Sequence, residues 1–332
     1  MLAAQFTFAQ SSNKTPVTYE ELYDEPYAIN RLFVQFQPVY GELYVANVNA
    51  GFGLEATYIH KDKFHVRAHA RKAYTQRFDL SRDIAEKNSN TDNVPEVFNL
   101  FEVGGTYHVK DFDESSKTKM FLYRKSYKGD KWASRVPLSV EIPCKVRKIY
   151  GARLGGFYFD TAVDVNRALD AQDQQLGVIT TEGGSALPAT YIDDNGDEQN
   201  TSVFTNMSTG GVYVGGSMTW IKNVAVDFDN KYTEGVDDLI FTAFLDIMIA
   251  PAISVDDIVY QGVTYSAEEI ETSIIGVRAG LDGKFNRTLS WGYGGEVGVR
   301  PGLKGRGFYA LVKISFPIYS TNLDYKVEAF GK

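Results

Sequence analysis

The pattern that most constrains the fold is an alternation of apolar and polar side chains with a period of two residues. From Tyr44 to Tyr58 the even-numbered residues are all apolar or aromatic, whereas the odd-numbered residues are mostly polar or glycine. The alternation returns at 64–71, where apolar residues alternate with His and Arg, and again at 308–316. Because successive side chains of a β-strand point to opposite faces, this pattern predicts strands with one apolar face. Helical periodicity is scarce, so the sequence predicts an all-β fold.

Composition excludes several classes of protein. The chain has 332 residues, of which 21 are Tyr, 21 are Phe and 3 are Trp, and this aromatic content argues against intrinsic disorder. The formal net charge of −8 argues against nucleic-acid binding, which requires a basic surface. The single cysteine, Cys144, excludes a disulfide scaffold and a cysteine-based zinc site.

Three features favour a membrane barrel over a soluble sheet. The alternating segments run for about 10 to 16 residues, which suits tilted membrane strands better than the shorter strands of soluble sheets. Aromatic residues lie near the ends of the apolar faces, as in the girdles of membrane barrels; they are Tyr44, Tyr58, Trp291, Tyr293 and Phe316. Short polar turns are predicted at 60–63, 112–116, 147–150, 222–223 and 283–287, and long connections at 77–96 and 165–208. Short turns on one side and long loops on the other predict a transmembrane antiparallel up-and-down β-barrel.

The alternation predicts about fourteen strands in one barrel domain, 31–320, with 165–208 as a long surface loop. The predicted strands are 31–40, 44–59, 64–76, 97–111, 117–127, 136–146, 151–164, 209–221, 224–232, 238–250, 257–265, 270–282, 288–300 and 306–318. The count falls to twelve if 209–229 forms one strand. We prefer fourteen because Lys222 would otherwise face lipid, which is costly near the membrane midplane.

The first ten residues have the character of the end of a secretory signal peptide. They carry no charge and place small residues at Thr7 and Ala9, so cleavage is expected after Ala9. Residues 1–9 are therefore interpreted as a signal-peptide remnant, 10–30 as an N-terminal periplasmic segment and 321–332 as a C-terminal tail. An ordinary terminus without a targeting role is the alternative.

The alternating strands, the asymmetry of the turns, the strand ends rich in Gly and Tyr, and the export-like start resemble those of outer-membrane β-barrel proteins of Bacteroidota. The resemblance covers nearly the whole chain. It implies a porin-like barrel in the cell outer membrane of a Gram-negative bacterium, surrounded by outer-membrane lipid. It is architectural, and no family motif transfers functional residues to this chain.

No residue pattern predicts catalysis, a cofactor or a metal site, and we expect the chain not to be an enzyme. His65 and His69 share a strand face, but they lie roughly 13 Å apart, too far to bind one metal ion without help from another strand. A hydrolase would need a serine and a histidine oriented by an Asp or Asn, and no spacing selects such a trio.

The segment from Asp193 to Glu198 allows two interpretations. Oxygen ligands alternate at Asp193, Asn195 and Asp197, as a calcium site would require. The dipeptide Asn195-Gly196 also suits a type I′ hairpin turn at the tip of a surface loop. The later glycine and glutamate of an EF-hand loop are missing, which favours the hairpin.

If the apolar faces meet lipid, the polar faces line the lumen. The polar faces carry charged residues that include Glu102, Arg153, Asp246 and Asp282. The residues selected as pore-lining are Glu55, Arg67, Arg71, Arg278, Glu296, Arg300 and Lys313. Glu55 is expected to face Arg67, which would favour internal ion pairing that plugs the barrel. Arg278 and Lys313 are both expected near Gly292, where the space beside glycine would let them form an electropositive constriction that favours anions. A plugged lumen and an open lumen are both consistent with the sequence.

Three functions follow from these observations. The first is a passive channel for small solutes. The second is a non-conducting barrel subunit of a larger outer-membrane secretion or motility assembly, with protein partners bound through the surface loops. The third is a secreted, soluble β-protein that binds glycans through its tyrosines.

Overall fold

The fold was obtained as a computed structural model, which describes residues 17–60, 63–124, 138–193, 195–229, 232–286 and 291–320. The predicted signal-peptide remnant 1–9, the residues 10–16 of the predicted periplasmic segment and the predicted tail 321–332 lie outside the described residues.

Strands dominate the described residues. In chain order they are β1 (Tyr19–Asp24), β2 (Leu32–Tyr44), β3 (Asn49–His60), β4 (Phe64–Ala73), β5 (Asn99–Leu122), β6 (Leu138–Asp164), β7 (Thr190–Ile192), β8 (Glu198–Asn200), β9 (Phe204–Ile221), β10 (Val224–Phe228), β11 (Gly235–Asp237), β12 (Leu239–Val255), β13 (Ile258–Tyr260), β14 (Val263–Tyr265), β15 (Thr272–Ser273), β16 (Ile275–Phe285), β17 (Gly292–Val299), β18 (Gly302–Leu303) and β19 (Phe308–Ser320). The helices are α1 (Leu80–Asn88) and α2 (Val165–Asp170), with short 3₁₀ turns at Gln76–Phe78 and Leu176–Val178. No helix in the described ranges combines the length and the apolarity needed to cross a membrane.

Ten of these strands close into one antiparallel barrel. Their order around the barrel is β2, β3, β4, β5, β6, β9, β12, β16, β17 and β19, and β19 pairs back to β2. Each barrel strand is therefore followed along the chain by its neighbour in space, which is up-and-down connectivity. The prediction of an all-β antiparallel barrel is confirmed.

The described barrel has ten strands, not the fourteen or twelve expected from the alternation. Four of the predicted segments merge into two long strands: 97–111 with 117–127 in β5, and 136–146 with 151–164 in β6. Polar residues had indicated turns at 112–116 and 147–150, but these residues pair across the two strands, as Asp113 does with Arg147. Ion pairs between diagonal positions, Arg147 with Asp111 and Lys148 with Glu114, stabilise the strand pair where turns were expected.

Two further predicted strands lie outside the barrel wall. The segment 224–232 contains β10, which pairs with β1 and β11 in a separate three-stranded sheet and is buried on both faces. The segment 257–265 forms the small β13–β14 hairpin. The predicted strand 44–59 begins at Asn49 in the structure, because β2 continues to Tyr44 and a short connection follows.

The two ends of the barrel differ. We call the end where β2 begins and β19 finishes the terminal end, and the opposite end the loop end. The loop end carries the connections 45–48, 74–98, 165–203, 256–274 and 300–307. Both predicted long connections therefore lie at one end, although residues 204–208 belong to β9.

The connections of the loop end fold into the largest hydrophobic core of the described residues. Val165 and Leu169 of α2, together with Ile179 and Leu187, are buried in one cluster with barrel residues such as Phe159. The polar tip of the predicted surface loop forms the β7–β8 hairpin. The loop end is thus a packed cap over the barrel.

The terminal end carries a projecting sheet. β5 and β6 remain paired from Asp113 and Arg147 to Leu122 and Leu138, beyond the last pairing of β5 with β4 at Tyr107 and of β6 with β9 at Arg147. Nine residue steps correspond to a hairpin of about 30 Å. The sheet of β1, β10 and β11 packs on it through a second apolar cluster, whose buried residues are Met120, Leu122, Ile142, Cys144, Val146, Val224, Val226 and Phe228.

Candidate functional site

The outer wall of the barrel is apolar. Outward-facing aliphatic side chains are largely exposed; Val312, Leu154 and Leu245 are 68%, 64% and 58% exposed. The outward positions of β4 from Phe64 to Ala70, and the positions level with them on the other described barrel strands, carry no charged side chain. A patch of this extent on a monomer marks a surface that contacts lipid or another protein.

Aromatic side chains border this wall at both ends. Toward the terminal end they include Tyr58, Phe64, Tyr107, Trp291 and Phe316, and toward the loop end Phe52, Tyr74, Tyr158 and Phe308, all more than one-third exposed. Of the aromatic residues expected to border the wall, Tyr44 is instead buried in the lumen at 1% exposure. Tyr44 faces inward although the even-numbered residues of β3 face outward, because the connection 45–48 interrupts the alternation between β2 and β3.

All seven predicted pore-lining residues face the lumen. Six of them are buried, and the Arg67 side chain is 15% exposed. Each of the five cations lies within 3.2 Å of a carboxylate oxygen. The lumen of the described barrel is therefore an ion-pair network.

One part of the network surrounds Glu55. Its Oε2 accepts hydrogen bonds from Arg67 Nη2 (2.8 Å) and from Lys313 Nζ (2.7 Å). Lys313 Nζ also lies 2.7 Å from Asp282 Oδ2. The predicted contact of Glu55 with Arg67 is confirmed, although the strand register places His69, not Arg67, directly opposite Glu55.

A second part bridges the lumen from wall to wall. Arg278 on β16 donates to both carboxylate oxygens of Glu102 on β5, at 2.6 and 2.8 Å, and to Asp246 on β12 at 2.9 Å. Arg153 on β6 binds the same Asp246 at 2.8 Å. Since β5 and β16 are not neighbours in the barrel, Arg278 crosses the lumen.

Two more pairs complete the network toward the loop end. Arg71 Nη2 donates to Glu296 Oε1 at 3.2 Å. Arg300 binds both oxygens of Glu42, at 2.6 and 2.8 Å, and its guanidinium carbon lies 4.0 Å from the ring centre of Tyr309. Bidentate pairs of this kind are directional and strong.

The expected electropositive constriction does not form. The register places Arg278 opposite Gly298 and Lys313 opposite Gly294, whereas Gly292 faces Ser315. Both cations are buried against carboxylates instead of reaching open space beside Gly292. The alternation correctly predicted that Arg278 and Lys313 lie on the inner face. Which residues they contact depends on the strand register around the closed barrel.

Apolar layers close the lumen at both ends. At the loop end, Tyr44, Phe98 and Phe159 of the loop-end core pack around Arg300, whose guanidinium carbon lies 5.4, 5.9 and 5.5 Å from their ring centres. At the terminal end, Ile29 and Phe33 pack with further buried residues, which are Ile149, Ile221 and Ile240. The segment before β2 is anchored there, since Asn30 N–H donates to Asn286 Oδ1 at 2.8 Å.

Four acidic residues bind the predicted cations; they are Glu42, Glu102, Asp246 and Asp282. The alternation placed Glu102, Asp246 and Asp282 on the inner faces of their strands, although they were not selected as pore-lining residues. Sequence reasoning missed Glu42. Glu42 was the hardest to detect, because β2 was predicted to finish at residue 40.

The histidines are arranged differently from the expectation. His65 and His69 are separated as predicted, but His108 on β5 brings its Nε2 to 3.3 Å from His65 Nδ1. Within the described ranges, His, Cys, Asp and Glu form no group of three that could hold a metal ion.

The Asp193 segment forms the predicted hairpin with a longer turn. β7 pairs with β8, and Ile192 lies opposite Glu198 at the start of the turn. Asp193 Oδ1 accepts hydrogen bonds from the N–H groups of Asn195 and Asp197, both at 2.9 Å. These bonds hold the pKa of the Asp193 carboxyl below its ordinary value. The carboxylate is thus engaged in closing the turn, in which Gly196 adopts a φ of +86°.

The fold and the lumen together define a closed ten-strand barrel with an apolar wall and an ion-paired interior. The chain matches no protein-family model and no curated protein.

Proposed function

We propose that the chain is an integral β-barrel of a Gram-negative outer membrane. The supporting observation is the uncharged apolar wall between two aromatic borders. Phe308 and Phe316 lie eight residues apart on β19, about 26 Å along the strand. At the usual tilt this corresponds to about 20 Å along the barrel axis, close to the ~25 Å apolar band of outer-membrane barrels. The longer connections at the loop end favour the cell surface for that end, and the terminal end would then face the periplasm.

We further propose that the barrel does not conduct solutes and acts as a subunit of a larger outer-membrane assembly. The observation that carries this proposal is the filled lumen. Buried ion pairs cross its centre, and apolar layers close it above and below. A water-filled channel lined by charged rings would leave such side chains hydrated. The geometry therefore favours this function over the passive channel.

The two folded ends are where partners would bind. The loop end presents a packed cap, and the terminal end presents a hairpin that extends about 30 Å along its strands beyond the barrel. This hairpin carries exposed charged side chains such as Lys117 and Glu141, which are 70% and 67% exposed. Projecting structure on both sides suits attachment to other proteins. This proposal requires no enzymatic activity and no cofactor.

Two measurements test the proposal. The purified protein, inserted into planar bilayers, should give no steady single-channel conductance under conditions in which a water-filled porin conducts. A pull-down from mildly solubilised outer membranes should recover stoichiometric partner proteins, and a chain shortened between Lys117 and Glu141 should recover fewer. Steady conductance would favour the passive channel as the function. A full-length protein recovered alone would contradict the assembly role.

A further inference from the structure

Lys284 is a buried cation of the lumen that has no carboxylate in contact. It lies near the terminal end of β16 and is 8% exposed. Its Nζ crosses the lumen, donates to Thr57 Oγ1 of β3 at 3.3 Å and lies 5.1 Å from the ring centre of Phe33. Among the described residues, no carboxylate oxygen comes within 4.0 Å of this ammonium group, and Asp238 at the same end has other interactions. A buried charge is costly without a counter-charge.

The rest of the lumen network has no negative charge to spare. Toward the loop end four cations meet four carboxylates; they are Arg71, Arg153, Arg278 and Arg300 with Glu42, Glu102, Asp246 and Glu296. Toward the terminal end two carboxylates already bind two cations; they are Glu55 and Asp282 with Arg67 and Lys313. With neutral histidines, this network and Lys284 together carry one excess positive charge, and Lys284 is the cation that lacks a carboxylate.

The lumen retains accessible space beside Lys284. The Arg67 and Asp282 side chains face the lumen, yet they keep 15% and 12% of their surface accessible. Asp282 lies two residues from Lys284 on the inner face of β16, and Arg67 lies opposite Thr57. The Thr57 hydroxyl accepts from Lys284 and therefore keeps its own O–H to donate. An ammonium group and a hydroxyl with hydrogens left to donate thus lie side by side at an accessible part of the lumen.

We propose that Lys284 and Thr57 bind a small monovalent anion, such as chloride, inside the lumen. The anion accepts hydrogen bonds from Lys284 Nζ and from the Thr57 hydroxyl, and it balances the excess charge. A divalent anion such as sulfate would bring a second negative charge close to Asp282 and Glu55. The bound anion stabilises the folded barrel by mass action, since the unfolded chain has no such site. The inference depends on the ion-paired lumen and not on the proposed assembly role, so the recovery of partner proteins does not bear on it.

Bromide locates the site directly, because it replaces chloride and scatters X-rays anomalously near its absorption edge. Crystals of the full chain grown in sodium bromide should show anomalous density within hydrogen-bond distance of Lys284 Nζ and Thr57 Oγ1. Bromide on the outer surface alone, an adventitious ion only, would overturn the inference. This measurement uses the wild-type protein and does not depend on the folding of any variant.

Urea unfolding in detergent micelles measures the effect on stability. Sodium chloride and sodium gluconate are compared at equal ionic strength, since gluconate is too large for the site. The unfolding midpoint should rise and saturate with chloride and should not do so with gluconate. Thr57→Val keeps the shape of the side chain and removes its hydroxyl. It should raise the half-saturating chloride concentration about five-fold, which equals ~1 kcal/mol at 1.4 kcal/mol per factor of ten.

Two lysine substitutions supply the matched pair. Lys284→Met removes the buried charge and keeps a long side chain, so it should abolish the dependence on chloride. In gluconate this variant should be at least as stable as the wild type, because no buried charge is left unbalanced. Lys72→Met makes the same change at an exposed position of β4 and should keep the dependence on chloride. Equal wild-type midpoints in chloride and gluconate would overturn the inference and would indicate that Lys284 is neutral in the folded barrel.

Discussion

At the residue scale, the buried ion pairs explain how so many charges are accommodated in a narrow barrel. A buried guanidinium is costly unless carboxylates satisfy its donors, and Arg278 meets both Glu102 and Asp246. Removing one partner from such a pair would leave a buried charge uncompensated. Each charged residue of the network therefore depends on its partners, and the ion pairs connect opposite sides of the barrel wall.

Asp79 has a comparable role outside the wall. Its carboxylate accepts hydrogen bonds from the Phe98 N–H at 2.7 Å, the Asn47 amide at 2.8 Å and the Arg82 N–H at 3.1 Å. The residue is fully buried. We expect Asp79→Ala to lower the free energy of unfolding by about 1–3 kcal/mol, because these buried donors lose their acceptor. Urea unfolding in lipid vesicles measures the change.

The control for this substitution lies in α1, the helix that Asp79 caps. Asp83→Ala removes a pair with the exposed Lys87, and a surface pair of this kind contributes about 0.3–0.5 kcal/mol. If both variants unfold at the same urea concentration, the Asp79 carboxylate does not hold the loop end together.

The same residue gives a dependence on pH. Burial raises the pKa of the Asp79 carboxyl above its ordinary value, against the hydrogen bonds that lower it. At pH values between the Asp79 pKa of the unfolded chain and the higher pKa of the folded protein, the folded protein binds more protons than the unfolded chain. The contribution of Asp79 to stability therefore increases as the pH falls through this range. The stability difference between wild type and Asp79→Ala should therefore widen on acidification below neutral pH. A difference that narrows would mean that the folded-state pKa is lowered.

At the element scale, the β7–β8 hairpin is the exposed tip of the loop end. Its flanking segments are anchored in the loop-end core through Leu187 and Val203, whereas Asn195 and Gly196 are exposed. An epitope inserted after Asn195 should leave the barrel folded, since exposed turns tolerate insertions. Antibody labelling of intact cells measures its location, and the proposed orientation predicts labelling without permeabilisation.

An epitope in the β5–β6 hairpin, between Lys117 and Glu141, is the matched comparison at the other end. It should be labelled only after the outer membrane is permeabilised. The reverse pattern would invert the proposed orientation of the barrel.

At the scale of the whole molecule, closure of the wall predicts heat modifiability. A closed barrel satisfies its backbone hydrogen bonds internally and resists SDS until it is boiled. Unboiled and boiled samples should therefore migrate differently on SDS gels. Identical migration, in a protein that is also monodisperse without detergent, would favour the soluble glycan-binding alternative.

A substitution on the outer wall sharpens this test. Val312→Arg places a charge on an outward position in the middle of the wall, which costs about 2–4 kcal/mol if that position faces the centre of a bilayer. The variant should convert to the unfolded form at a lower temperature. In a water-exposed wall the same substitution would be nearly neutral, because surface changes of this kind stay within about 0.5 kcal/mol.

The sequence by itself determined the secondary-structure class and the two faces of most strands. Alternation is a local property, since it depends on successive residues pointing to opposite faces. It therefore located Glu55, Arg71 and Glu296 on the inner face without knowledge of their neighbours. It was less informative where local patterns are ambiguous. Polar residues at 112–116 suit a turn as well as a strand, and their strand conformation depends on partners in β6.

Only the tertiary structure decided the strand number, the pairing of the charges and the state of the lumen. Arg278 and Glu102 are 176 residues apart in the chain, and they meet because ten strands close at one register. A change of register by one residue would exchange the inner and outer faces of a strand, and a wider barrel would separate the charges. In a larger barrel the same inward cations could line an open pore, whereas in this barrel they pair with carboxylates across the lumen. The width of the lumen depends on how many strands close the barrel and at which register, and no local sequence pattern determines it.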